Sequence, residues 1–398
     1  MKHGIYKNLS GDTIYNSQVA TLVFLVGIAF KISAAPAMIN QEFGSSTFWA
    51  YLGYSAVDVV ATLIVFVFAR SNGDAFLTST NSVLYRALAF VASLYMTIKG
   101  VFHFSYASSY LTHELFVGLE PSLIYLLFLL PVVYLGAKGI STLARTSEIF
   151  FPAIFLMLAL NLVFLKTKAD FARVLPVFSR EPSELLGLFP RYGLWLGDML
   201  PFVFVRIKDK KLPYATIGVV GTWLFVNLVL LLGVAIYGDA LKTVSDLLIR
   251  IAGFNSLSKD IVRTEWSNLI AALTTSIVSL AFSYFGALSA MRRAIKTDLP
   301  IKIAYPLAIL LTVLIVPSAQ SVTKFATESF GYVLFALAIV LPLLFICALA
   351  LAKRKYPSIQ KLLDDEYVKF KQQTPDIDSN AVGLLDGFKR ENSDGQTV

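Results

Sequence analysis

Apolar runs of about twenty residues, separated by short polar stretches, recur along the chain from residue 14 to residue 352. A run of that length crosses the hydrocarbon core of a bilayer as an α-helix, because each residue advances the helix by about 1.5 Å. Ten helices are predicted, over 14–38, 49–69, 82–111, 122–137, 149–165, 186–205, 215–237, 266–291, 301–316 and 330–352. The pattern is that of an all-α polytopic membrane protein.

Two of the runs are irregular. The first carries Gly27 and Pro36 with Lys31 between them, and the sixth carries Pro190, Gly193, Gly197, Asp198 and Pro201. Glycine weakens a helix, proline removes one of its hydrogen bonds, and a charge at that depth is costly unless the protein answers it. Both runs are therefore read as broken helices lining a site. Their matching places in the two halves of the chain fit two inverted five-helix repeats, about 14–165 and 186–352.

Composition supports the membrane reading: 56% of the 398 residues are hydrophobic and 15% charged, and mean hydropathy is +0.68, which excludes a soluble domain. The net charge of +8 does not indicate nucleic acid, because the basic residues lie in the loops between apolar runs. On one side stand Lys2, Lys7, Arg70, Arg86, Lys138, Arg145, Arg206, Lys208, Lys210 and Lys211, then Arg292, Arg293, Lys296, Lys353, Arg354 and Lys355. The opposite loops at 40–48 and 112–121 carry no Lys or Arg, and 317–328 carries only Lys324. A cytoplasmic N-terminus over 1–13 and a cytoplasmic tail over 353–398 follow from the positive-inside rule.

The tail is polar and reads as partly disordered, with an amphipathic helix over 359–370. Two longer outer connections, 166–184 and 238–265, read either as short helices over the outer face or as interfacial loops. The polar first dozen residues and the length of the first run do not fit a cleavable signal peptide. The lone Cys347 allows no internal disulfide, and His3, His103 and His113 are too scattered for a metal centre. With no HExxH, nucleophile elbow or phosphate-binding loop, a membrane enzyme is disfavoured; no catalytic residue, cofactor or metal is assigned.

The intramembrane polar residues are the candidates for function. Unwound backbone in the broken runs suits a zwitterion, its carboxylate met by N–H groups and its ammonium by carbonyls. Gly27, Ile28, Ala29, Phe30 and Lys31 in the first run, with Gly193, Leu194, Trp195, Gly197 and Asp198 in the sixth, form the candidate ligand site. The alternative for the glycines is close helix packing. For Lys31 and Asp198 the alternative to function is a neutralising structural pair, and Asp58 and Lys99 either brace the bundle or take part in coupling. Thr274, Thr275, Ser279 and Ser283 could complete a sodium site, or bond back to their own helix. Lys31 could itself stand in the place of a cation. His103 is read as a hydrogen-bonded histidine near the outer end of its span.

At 139–152, GISTLARTSEIFFP, the chain resembles the B-subunit family of spore germinant receptors, of the amino acid/polyamine/organocation superfamily. The likeness continues through VLPVF at 174–178, the Gly197-Asp198 pair with its apolar run and basic RIKDKK turn, and Arg263-Thr264-Glu265-Trp266. It implies ten spans in two inverted repeats, a pocket among spans one, three, six and eight that senses a small amino-acid-like germinant, and A-type and C-type partner subunits in the spore inner membrane. The runner-up is a proton- or sodium-coupled amino acid transporter. Two departures stand out: Asp198 where such proteins often carry Glu, and the lysine at position 31.

Overall fold

The computed structural model describes residues 13–33, 35–111, 120–165, 169–175, 181, 183, 187–207, 213–244, 247, 250, 265–315, 325 and 327–357. The chain divides into two units, Met1–Leu349 and Ala350–Val398, and the first holds the site. The tail beyond 357, the basic turn at 208–212 and most of the second outer connection lie outside the described residues.

Eleven α-helices are present among the described residues: α1 Asn16–Ser33, α2 Ala35–Phe43, α3 Thr47–Arg70, α4 Gly73–Ser79, α5 Val83–Tyr110, α6 Pro121–Lys138, α7 Ile140–Leu165, α8 Pro213–Tyr237, α9 Glu265–Ile295, α10 Leu299–Ile315 and α11 Gly331–Lys355. Six helical segments are long and apolar enough to cross a membrane, three shorter apolar ones lie at 16–32, 123–138 and 299–312, and the sixth run supplies the remaining segment. The protein is an integral membrane protein. Its outward faces stay apolar, with Leu127 and Leu130 on α6, Ile303 and Leu307 on α10, and Val340 and Leu344 on α11 all exposed. Those faces meet lipid, and burial concentrates where α9 packs on α5, α6 and α1, and where α1 packs on α8.

Both irregular runs are broken, but not alike. The first is a continuous helix through Gly27 to Ser33 and restarts at Ala35, so the break belongs to Pro36 and not to Gly27. Pro36 has no N–H to give the carbonyl of Ile32, one turn back, and its ring crowds that carbonyl. The expectation of unwound backbone at Gly27, Ile28, Ala29 and Phe30 is corrected accordingly. Gly27 serves packing: a β-carbon there would lie 2.5 Å from Thr222 Cγ2 on α8.

The sixth run forms no α-helix between Phe189 and Phe204. Two 3-10 turns, Phe189–Trp195 and Leu200–Phe204, flank an extended Leu196, Gly197 at φ +74° and a turn through Asp198 and Met199. Only glycine takes that φ at little cost, so Gly197 fixes where the chain reverses its helical course.

The two broken runs touch at both ends. Before α1, Thr13–Ile14 (β1) pairs in parallel with Arg206–Ile207 (β2), which follows the sixth run. At the other end, the Tyr192 hydroxyl donates to the Met38 carbonyl at 3.2 Å, and Tyr54 stacks on Phe189 with centroids 3.8 Å apart. The centre of the bundle is enclosed from both directions.

A polar clasp ties α4, α5 and α9 at the end that carries the basic loops. Arg293 grips Asp74 with two nitrogens, Nη2 to Oδ2 at 2.8 Å and Nε to Oδ1 at 3.0 Å, while the Tyr85 hydroxyl donates to the same carboxylate. A small cavity, room for about one water, lies against this clasp and the Val203 to Arg206 stretch. In the next turn, burial works to raise the Asp298 carboxyl, but hydrogen bonds from Arg292 and Lys302 outweigh it and hold the group below its ordinary value. Asp74→Asn removes the carboxylate from a nearly buried guanidinium. It is expected to destabilise the purified protein by about 3 kcal/mol, read as a lower melting temperature; an unchanged melting temperature would make the clasp ornamental.

Candidate functional site

Four charged side chains from four elements converge where the broken runs meet. Lys31 lies in the last turn of α1, Asp58 in mid α3, Lys99 in mid α5 and Asp198 in the gap of the sixth run. Lys31 Nζ bridges Asp58 Oδ2 at 2.9 Å and Asp198 Oδ2 at 2.7 Å, and Lys99 Nζ meets Asp198 Oδ1 at 2.5 Å. Every one of these side chains is less than a tenth exposed.

Backbone of the broken runs completes the network. Gly197 N–H donates to Asp58 Oδ1 at 2.7 Å, so both oxygens of both aspartates are engaged. The Leu196 carbonyl accepts from Lys99 Nζ and from the Tyr95 hydroxyl, the latter at 3.0 Å. The Lys31 carbonyl, left over at the end of α1, accepts from the Tyr51 hydroxyl at 2.7 Å. Lys31 Nζ also stands 4.3 Å from the centre of the Trp223 ring, a cation–π contact in a dry setting. Two positive and two negative groups leave the cluster neutral, which is the condition for holding charge at this depth.

An aromatic stack adjoins the cluster. His103 stacks against Phe30, with centroids 4.2 Å apart, and against Trp195, at 5.6 Å and 11° between planes. His103 Nε2 and Trp195 Nε1 are both buried and have no hydrogen-bond partner among the described residues. Lone buried polar atoms are rare because each costs about 1–3 kcal/mol. Asn40 Oδ1 and Asn227 Oδ1 are the others among the described residues, and the His103 and Trp195 atoms differ from them in lying in neighbouring stacked rings. The reading of His103 as an interface histidine near the outer end of its span is corrected: it is buried inside the bundle, one helical turn from Lys99, while its hydrogen bond is present, to the backbone of Leu194.

The remaining candidates divide. Ile28 and Ala29 are buried on α1 as packing residues. Gly193 lets the sixth run approach α11, since a β-carbon there would lie 2.2 Å from the Phe335 backbone nitrogen. Leu194 is buried beside His103. On α9, the Thr275 hydroxyl donates back to the carbonyls of Ala271 and Ala272, at 2.8 and 3.1 Å, and the Ser283 hydroxyl donates to the Met96 carbonyl of α5. Ser279 is buried and Thr274 is half-buried. Thr275 and Ser283 thus carry the helix-bonding and packing roles that such hydroxyls ordinarily have.

Tyr51, Tyr95, Trp223 and the Leu196 carbonyl belong to the site and were not singled out from sequence. One signal was there to be read: Tyr95, Lys99 and His103 recur at four-residue spacing, which sets them on one face of α5.

A model of the spore germination protein family matches residues 76–323 of the chain. The chain belongs to this family. No curated protein matches it at a significant level. Among solved structures it is similar to MhsT in complex with L-phenylalanine, at 16% identity and a TM-score of 0.53, over 86% of this chain and 97% of that one. It is also similar to a substrate-bound, outward-open Na+-coupled sialic acid symporter, at 12% identity and a TM-score of 0.54, over 86% and 80% of the two chains. A nucleobase-cation-symport-1 family transporter in a closed conformation, with bromovinylhydantoin bound, matches at 12% identity and a TM-score of 0.51, over 88% and 95%. At these identities the likeness is one of fold, and ten helices with broken first and sixth runs are consistent with it.

Proposed function

We propose that this spore germination family protein is the ligand-sensing membrane subunit of a germinant receptor, and that it binds a small amino-acid-like molecule between the broken first and sixth runs. The observation that carries the reading is the enclosed junction of those runs. Ionised groups of both signs stand there beside an unpaired buried donor on Trp195 and an unpaired buried acceptor or donor on His103. A zwitterion adds no net charge to such a site, and its side chain packs against the aromatic stack of Phe30, His103 and Trp195 as the runs part. MhsT, which shares the fold, is described with an amino acid bound.

In this reading the ligand shifts the equilibrium between closed and open arrangements, and A-type and C-type subunits read the shift. Both termini face the cytoplasm, the domain over 14–352 carries the function, and the membrane is that of the spore or cell. The second reading, a transporter of amino acids coupled to protons or sodium, draws on the symporters among the structural neighbours.

Trp195→Phe and His103→Phe test the stack, because each leaves an aromatic ring in place and deletes the unpaired polar atom. Affinity for labelled amino acids is expected to fall about tenfold, while thermal stability of the ligand-free protein holds or rises. A stability gain with unchanged affinity would remove the stack from the ligand site.

A further inference from the structure

Lys31 is placed as a bound cation would be. Its ammonium sits between carboxylate oxygens of Asp58 and Asp198, at 2.9 and 2.7 Å, and over the face of Trp223 at 4.3 Å. Carboxylates from separate elements with an aromatic face above them are a cation-holding arrangement, and the ring is an independent sign of it. The surroundings are committed to this geometry. Asp58 is fixed from behind by Gly197 N–H, Asp198 is fixed from the far side by Lys99, and the Lys31 carbonyl is taken by Tyr51. Asn227, one turn from Trp223 on α8, braces Ser55 of α3 at 2.8 Å, so the wall bearing the ring is tied to the helix bearing Asp58.

We infer that Lys31 fills a monovalent-cation site with a covalently tethered ammonium, and that the same oxygens take sodium or lithium when the ammonium is removed. With Lys31 in place the cluster is neutral, so a dissolved cation entering it would add an uncompensated charge in a dry interior. Without Lys31, two carboxylates face one ammonium, and the buried excess of negative charge draws a small cation in. The inference deepens the proposed function by fixing how ions relate to that site. It rests on that reading only for its meaning, since the test needs no ligand.

The experiment uses purified full-length protein without ligand. Thermal unfolding is followed as sodium chloride replaces N-methyl-D-glucamine chloride at constant ionic strength, with lithium chloride as a second probe. The wild-type melting temperature is expected to stay within about 1 °C across the series, and that of Lys31→Met to rise saturably by about 4 °C in sodium or lithium. Adding Asp58→Asn to Lys31→Met restores the charge balance and should abolish the response. A saturable sodium response in the wild type overturns the inference, as does a Lys31→Met protein indifferent to both ions. Should Lys31→Met fold in no salt, Lys31→Gln takes its place with the same outcomes. If neither variant folds even in sodium or lithium, the inference also fails, because an ion able to replace the ammonium would rescue folding. A chain that binds no amino acid at all can still pass this test, which separates its failure from that of the sensor reading.

Discussion

Asp198→Asn is expected to cause the largest loss of any single polar change in the protein. Among the described residues Asp198 is the only group that ion-pairs with both lysines, through Oδ2 to Lys31 and Oδ1 to Lys99. An asparagine of the same shape leaves two buried ammoniums against one carboxylate. Breaking a buried pair in this way costs about 3–5 kcal/mol, much of it the penalty of stranding the partner. The variant should therefore melt well below the wild type, and where it survives in detergent its response to ligand should weaken at least about tenfold. The double variant Asp198→Asn/Lys99→Met restores neutrality and should recover part of the stability. The proposed site uses the carboxylate itself to meet the ligand, so on that proposal the response should not return. A single variant of normal stability and normal dose response would show that the cluster is neither a brace nor a binding site.

Gly193→Ala is expected to do comparable damage for a purely steric reason. The added methyl group would lie 2.2 Å from the Phe335 backbone nitrogen and 2.5 Å from the Gly331 carbonyl oxygen, both on α11. Backbone atoms in a packed helix cannot step aside as a side-chain tip can, so the sixth run must shift away from α11. Overpacking of this kind costs about 1–3 kcal/mol and more where backbone moves. The shift also drags Trp195 and the Leu196 carbonyl, so affinity should fall together with melting temperature. Gly221→Ala on α8 is the control. Nothing lies within 4 Å of its added β-carbon, and helix propensity alone favours alanine by up to about 1 kcal/mol. If the two variants behave alike, the close approach at Gly193 does not matter.

How much of this could be read from the chain follows from which properties are local. Hydropathy is local, and the apolar runs over 49–69 and 82–111 correspond closely to α3 and α5. The break at Gly197 and Asp198 was legible for the same reason: Pro190, Pro201 and a glycine able to take positive φ lie within a dozen residues. Gly27 misled because a glycine inside a membrane helix has two uses, and the choice between them lies on another helix. Thr222 of α8 packs into the space that Gly27 leaves, so the helix continues and Pro36 alone ends it.

The charge cluster was half legible. Lys31 and Asp198 stand out because each lies in a broken run, whereas Asp58 and Lys99 lie in regular helices and give no sign of direction beyond their own helical face. That they converge on one point depends on how α3 and α5 pack around the break, which is a property of contacts among helices. The unpaired atoms of His103 and Trp195 are less legible still, since satisfaction of a hydrogen bond is decided by every neighbour at once.

The most direct test of the sensor account combines two assays on one preparation: equilibrium binding of a labelled amino acid mixture to the protein in liposomes, and uptake of the same mixture under imposed proton and sodium gradients. The account predicts saturable binding that Asp198→Asn weakens, with no gradient-driven accumulation. Accumulation driven by either gradient would make the chain a transporter, and absence of binding would take the ligand site away from the broken helices altogether.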